Sequence, residues 1–335
     1  MNGNERIIEV EDLTKRYGEL AAVDAISFFV DRGEVFGILG PNGAGKTTTL
    51  EMVEGLRRPD GGSITVDALS VWPHPKAVKA RIGVQLQATA LFDYQRLHEI
   101  IYIFGSCYGI HRGKKECVDL LDRVGLAEKA DAFANELSGG QAQRLSIALA
   151  LVNDPVVTFL DEPTTGLDPR ARRSLWDVIT QINAAGTTVV LTSHYMEEAE
   201  RLCDRVAVMD LGHIVALDTP RALINSLGAE ATVTFTLDSD PSAEVFCDLD
   251  GVQSCRLQEP GYALVALDSQ RAVVSLLDMA QQHGMRVSNL DVQGANLEDV
   301  FLSMTGHKLG EDEAGAGDEE GGKRKKRRGL RARGG

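Results

Sequence analysis

The chain has 335 residues, 43% of them apolar and 25% charged, the usage of a globular protein of about two domains, so wholesale disorder is excluded. No run approaches the ~18 apolar residues of a membrane-spanning helix, and the opening MNGNERIIEVED carries acids and no apolar core; a soluble chain without a signal peptide is expected. The net charge is −14, and residues 1–309 hold 27 basic and 43 acidic side chains, a balance that repels a phosphate backbone and predicts no nucleic-acid partner.

In chain order, the first clear element is a strand over residues 35–39 (VFGIL), buried on both faces because nothing polar alternates in it. A Gly-rich turn follows, and a helix begins at Lys46. Further short strands are predicted at 156–160, 187–191 and 206–209, with helices over 141–152, 169–184 and 196–203. Strand and helix in alternation is the pattern of a parallel α/β sheet covered on its faces. From Gly228 the register changes. Strands are predicted at 232–237, 252–257, 262–267 and 285–290, and helices at 242–249 and 270–283. That β-α-β-β-α-β order is the ferredoxin-like unit, followed here by a terminal helix over 297–304.

Beyond residue 310 the chain is almost all Gly, Ala and charge, an acidic block followed by KRKKRRGLRAR, so disorder is predicted. The basic run either pairs with the acidic block or meets an anionic membrane surface. The predicted organisation is therefore an α/β domain over 1–227, a small α+β domain over 228–306 and a charged tail over 307–335. Five cysteines, odd in number and without a CxxC pair, argue against a disulfide framework or zinc site and predict buried free thiols in a reducing compartment.

The chemistry is concentrated in the first domain. Gly40-Pro41-Asn42-Gly43-Ala44-Gly45-Lys46-Thr47 fits G-x-x-x-x-G-K-[ST] between a predicted strand and a predicted helix, the context that gives the motif meaning. Its glycines let consecutive N–H groups turn inward towards phosphate oxygens, and the helix adds its positive N-terminal end. Lys46 is expected to reach the β- and γ-phosphates and Thr47 to place its hydroxyl on Mg²⁺, with Thr48 next to it in the ATP-binding set. Asp161 closes the apolar run VVTFL and Glu162 follows, at the sheet edge where ligands bind in open α/β folds. Asp161 would hold Mg²⁺ through water, and Glu162 would polarise the attacking water.

Leu137-Ser138-Gly139-Gly140-Gln141 places a Gly-containing turn at a helix start, with Ser138 and backbone amides offered to an anion. At LSGGQ the chain resembles the ATP-binding subunits of ATP-binding-cassette (ABC) transporters, whose signature this is. The resemblance covers residues 5–225 and implies a P-loop ATPase fold with a helical subdomain. It also implies a head-to-tail dimer, of two copies or of two homologous chains, in which the signature serves the partner's ATP. Within it, Tyr17 matches the residue that stacks on adenine, though an isolated Tyr equally reads as packing. Gln87 matches the glutamine that contacts Mg²⁺ and the attacking water; Gln85 faces the same side, so the choice rests on family spacing. Residues 165–168, with Asp168 in the ATP-binding set, match the loop that touches the opposite subunit, and His194 matches the switch histidine.

The motif contexts and the small second domain are similar to daunorubicin-resistance ATP-binding proteins. The implied function is ATP hydrolysis on the cytoplasmic face of the membrane, driving efflux of a drug-like or lipid-like molecule through a separate ABC-2 type permease. An importer ATPase or a soluble ABC protein is the alternative. The signature continues QAQR where QQQR is common, and Leu86 stands where Pro is frequent; neither change removes a chemical group from the mechanism.

Overall fold

The computed structural model describes residues 5–85, 94–228, 231–239 and 241–306. The Gln87 position and the 307–335 tail lie outside the described residues. Two compact units are present, the first running to Leu217 and the second spanning Asp218–Met304.

In the first unit the chain runs β1 (Arg6–Tyr17), β2 (Leu20–Asp31), β3 (Val35–Leu39), α1 (Lys46–Val53), β4 (Gly61–Val66), β5 (Leu69–Ser70), α2 (Pro75–Lys79) and β6 (Ile82–Val84). Three longer helices follow, α3 (Leu97–Cys107), α4 (Lys114–Asp122) and α5 (Gly139–Ala150), as the expected helical subdomain. The unit then completes β7 (Val157–Asp161), α6 (Pro169–Ala184), β8 (Thr188–Ser193), α7 (Met196–Leu202), β9 (Arg205–Asp210) and β10 (His213–Asp218). The central sheet has the order β10-β9-β3-β8-β7-β6, with β9-β3-β8-β7-β6 parallel. All five residues of β3 and all six of β8 are buried, which explains the unbroken apolar run of β3 and the Val189–Leu191 centre of β8. Because neighbouring strands are parallel, the C-terminal ends of β3, β7 and β8 come together along one sheet edge. The site is built on that edge.

A second, antiparallel sheet, β2-β1-β4-β5, has no counterpart in the sequence reading. Its twelve-residue strands β1 and β2 pair with several register shifts, and Asp12 and Ala25 take positive φ, so the two-residue alternation is interrupted.

The second unit contains α8 (Pro220–Ser226), β11 (Ala231–Leu237), β12 (Val252–Gln258), β13 (Gly261–Ala266), α9 (Ser269–Gln282), β14 (Val287–Gly294) and α10 (Leu297–Thr305). Its sheet order β12-β13-β11-β14, antiparallel throughout, is the ferredoxin-like arrangement. The helix expected over 242–249 is only a 3₁₀ turn, Ala243–Phe246. One turn suffices to bury Phe246 against Phe235 and Tyr262, at ring-centroid distances of 5.3 and 4.9 Å, while Val245 stays outside. The last strand lies later than residues 285–290 because β14 is a largely exposed edge strand with a bulge between Thr234 and Thr236 of its partner. The thiols are not uniformly buried: Cys117 and Cys203 are, but Cys107 and Cys247 are exposed.

Candidate nucleotide site

The turn from β3 into α1 needs two close backbone approaches. A Cβ on Gly40 would lie 2.2 Å from the Met209 carbonyl oxygen, and one on Gly45, at φ 101°, would lie 2.4 Å from that of Ala22. Glycine is the residue that permits both. Ala44 is buried in the middle of the loop, its carbonyl accepting from Gly212 N–H at 3.1 Å, while Asn42 and Gly43 stand exposed at the tip. Lys46 is buried, and its Nζ donates to the carbonyls of Gly40 at 2.8 Å and Pro41 at 3.0 Å. Burial lowers the pKa of this ammonium, and the neighbouring Glu162 carboxylate opposes that shift. Thr47 is exposed and Thr48 half-buried on the first turn of α1.

Along the same edge the ends of β7 and β8 supply acids and a histidine. Thr47 Oγ1 donates to Asp161 Oδ1 at 3.3 Å, and Thr192 Oγ1 donates to the same oxygen. Thr192 Oγ1 also accepts from Glu162 N–H at 2.9 Å, so one hydroxyl fixes two consecutive acids. Glu162 sits at φ 46°, a strained conformation for a side-chain-bearing residue, costing roughly 1–3 kcal/mol and common at functional sites. Its Oε1 lies 3.5 Å from Lys46 Nζ, and its Oε2 lies 3.3 Å from His194 Nδ1 and accepts from Thr165 Oγ1 at 3.0 Å. Burial alone would raise the Glu162 pKa, but Lys46 and His194 outweigh it and the carboxyl falls below its ordinary range. A carboxylate that stays ionised between a buried ammonium and an imidazole is placed to accept a hydrogen bond from water.

Thr47 and Asp161 offer oxygen donors, the kind a hard divalent cation takes. Gln85 ends β6 on the neighbouring strand, its N–H donating to Phe159 O at 3.0 Å, and its Oε1 is buried without a hydrogen-bond partner. The paired Thr47 and Asp161 oxygens suit Mg²⁺.

The signature segment forms a second group. Ser138 is the N-cap of α5: its Oγ accepts from Gln141 N–H at 3.4 Å, and Gln141 Oε1 accepts from Ser138 N–H at 3.0 Å. This reciprocal capping box starts the helix two residues before the predicted 141, and its signal, S-x-x-Q, was present in the sequence. Gly139 and Gly140 occupy the first turn, where backbone N–H groups lack intrahelical partners. A Cβ on Gly140 would meet the Ala171 Cβ at 3.0 Å, so α5 and α6 pack at their first turns. Asp168 caps α6, accepting from Arg170 N–H at 2.9 Å and Ala171 N–H at 3.0 Å. Tyr17 ends β1 with its ring exposed, Lys15 Nζ 5.8 Å and the Arg57 guanidinium 5.5 Å from the ring centroid.

The ABC transporter family profile matches residues 23–165. The chain is 40% identical over 312 residues to the Nod factor export ATP-binding protein I of Ralstonia nicotianae, covering 92% of this chain and 96% of that one. The chain belongs to the ABC transporter family. This ABC protein is also 36% identical over 313 residues to the daunorubicin resistance ATP-binding protein DrrA2 of Streptomyces coeruleorubidus, covering 92% and 97% of the two chains. Among solved structures it is similar to the dimeric, post-hydrolysis state of the ATP-binding cassette MJ0796 bound to ADP and Pi. That match has a TM-score of 0.56 and 25% identity, and covers 63% of this chain and 98% of that one. As a member of the family the chain is an ATP-binding, ATP-hydrolysing subunit. ABC cassettes work as dimers with membrane permeases, and no helix among the described residues is long and apolar enough to cross a membrane itself.

Two residues that hold the cluster escaped the reading of the sequence for this purpose: Thr192 and Thr165. Each acts through contacts with residues distant along the chain or through a turn whose geometry is set by the fold.

Proposed function

We propose that this ABC ATPase is the motor of an exporter, working at the cytoplasmic face of the membrane on a separate ABC-2 type permease that carries a drug-like or lipid-like molecule. Relatives named for antibiotic resistance and Nod factor export, matched over nearly their whole length, support the direction of transport. The observation that carries the hydrolytic part is the convergence, within 3.5 Å contacts, of Lys46 at the start of α1 with Glu162 and His194 just past the ends of β7 and β8.

In this reading Lys46 and the N–H groups of the phosphate loop hold the β- and γ-phosphates, and Tyr17 stacks on adenine. Mg²⁺, held by Thr47, by Gln87 and through water by Asp161, would neutralise charge on the β- and γ-phosphate oxygens. Glu162 accepts the proton of the attacking water, and His194 positions the γ-phosphate. Ser138, with the free amides of Gly139 and Gly140, faces the nucleotide of a second copy or a homologous chain, and Asp168 lies at that contact.

Glu162→Gln separates binding from chemistry. It keeps the shape and removes the base, so ATP affinity is expected to stay within a few-fold while single-turnover hydrolysis falls about 10²–10⁴-fold. The variant with ATP and Mg²⁺ is also expected to shift to a dimer in light scattering, since the sandwich forms and does not turn over. Near-normal turnover in Glu162→Gln would overturn the assignment.

A further inference from the structure

Glu198 is fully buried, on the short helix α7 that follows His194. A carboxylate is costly to bury without partners, and the partners here come from other elements. Ser193 Oγ, at the end of β8, donates to Glu198 Oε2 at 2.6 Å. Trp176 Nε1, from the buried face of α6, donates to Glu198 Oε1 at 3.2 Å. The Ser193 hydroxyl in turn accepts from Tyr195 N–H at 2.9 Å. That last bond spans His194: a serine oxygen taking the N–H two residues on closes a turn around the residue between.

The arrangement makes the direction of one hydroxyl proton matter. With two carboxylate oxygens Glu198 accepts from both Trp176 and Ser193, which leaves the Ser193 lone pairs for Tyr195 N–H. Ring contacts flank the turn: the Arg172 guanidinium of α6 lies 4.3 Å from the Tyr195 ring centroid, and the His194 and Tyr195 rings are 4.1 Å apart. The helix that supplies both Trp176 and Arg172 is the one capped by Asp168.

We propose that Glu198 is a positioning residue for ATP hydrolysis, its buried carboxylate holding the Ser193–Tyr195 turn so that His194 meets Glu162 and the γ-phosphate, and tying that turn to the helix that starts after Asp168. This rests on the role given to His194 above. Burial raises the Glu198 pKa above the ordinary carboxylate range, and the hydrogen-bonding groups of Ser193, Thr164 and Trp176 and the charge of Arg172 offset only part of that rise.

The test uses Glu198→Gln and Ser193→Ala, each alone and combined with His194→Ala, in the full-length chain. In Glu198→Gln the amide NH₂ either faces the Trp176 N–H, losing that bond, or faces Ser193 Oγ, whose proton must then turn to the Tyr195 carbonyl at 3.3 Å, so one tie of the turn is lost or reversed. Single-turnover hydrolysis is expected to fall about 10- to 100-fold in each single variant, the scale of a misplaced reacting group. ATP affinity and the thermal transition followed by tryptophan fluorescence are expected to change little. Because the effect runs through His194, neither substitution should add more than about threefold in the His194→Ala background. Ser193→Ala decides the matter if Glu198→Gln does not fold. Full turnover in the single variants, a fall in ATP affinity equal to the fall in rate, or losses that multiply with that of His194→Ala would each overturn the positioning role. Wild-type turnover in His194→Ala would instead overturn the role of His194 itself.

Discussion

Glu54 follows α1 directly, only 4% exposed, with Asp161 and Glu51 acting on it and Lys79 as the compensating cation. Burial first, then the two negative neighbours, push its carboxyl from 4.5 up to about 8. The sign follows from proton counting. Between those two pH values the folded chain holds a proton that the unfolded chain has lost, so stability falls as pH rises from about 4.5 and stops falling near pH 8. Each pH unit in that window is worth about 1.4 kcal/mol, so at pH 7 the deficit is on the order of 3 kcal/mol. Glu54→Gln keeps the shape and removes the linkage. Its advantage over the natural chain is expected to be near zero at pH 5, to reach the order of 3 kcal/mol at pH 7 and to level off above pH 8. Urea denaturation at fixed pH steps measures this, and both tryptophans, Trp72 and Trp176, belong to the first unit, so their fluorescence reports the relevant unfolding. A difference that is the same at every pH, or a variant less stable than the natural chain at pH 8, would refute the reasoning.

Gly40→Ala places a Cβ against the Met209 carbonyl at 2.2 Å, and relieving it must displace the phosphate loop. A cost of roughly 1–3 kcal/mol corresponds to a loss of about 5- to 150-fold in nucleotide affinity, checked by equilibrium titration with a fluorescent ATP analogue. Phe246→Ala removes a fully buried ring from the cluster with Phe235 and Tyr262 and is expected to cost the second unit about 3–5 kcal/mol. That unit contains no tryptophan, so near-UV circular dichroism of its tyrosine and phenylalanine signals is the suitable readout.

What the sequence made legible was what is contiguous. The VFGIL strand, the loop to Lys46 and the helix after it form one uninterrupted segment, and the bounds of β3 and α6 fall where apolar runs and Pro169 place them. Paired, regularly alternating strands of the second unit were readable for the same reason. The β1–β2 hairpin was not, because bulges at Val10–Leu13 and Leu13–Lys15 shift the pairing and erase the alternation that a strand is recognised by. The 3₁₀ turn at Ala243–Phe246 reads as a helix in the sequence because Ala243, Phe246 and Leu249, three residues apart, imitate a helical face over a short window.

The site follows the same division, and the division has a physical cause. Asp161, Glu162 and His194 each sit at or next to the end of a buried strand and Lys46 opens the helix after another, so sequence position alone announces them as residues of one parallel-sheet edge. What sets their mutual distances is carried by small hydroxyls on other segments. Thr192 joins Asp161 to the backbone of Glu162, Thr165 closes on the Glu162 carboxylate, and Ser193 closes the turn around His194. A Thr or Ser beside a charged motif has no periodicity and no distinctive spacing, so nothing local marks it. At φ 46° the Glu162 N–H donates to the Thr192 oxygen, a partner from the neighbouring strand. The charged residues can thus be named from the motif, whereas the geometry that lets Glu162 face both Lys46 and His194 depends on hydroxyls whose partners exist only once β7 and β8 lie side by side.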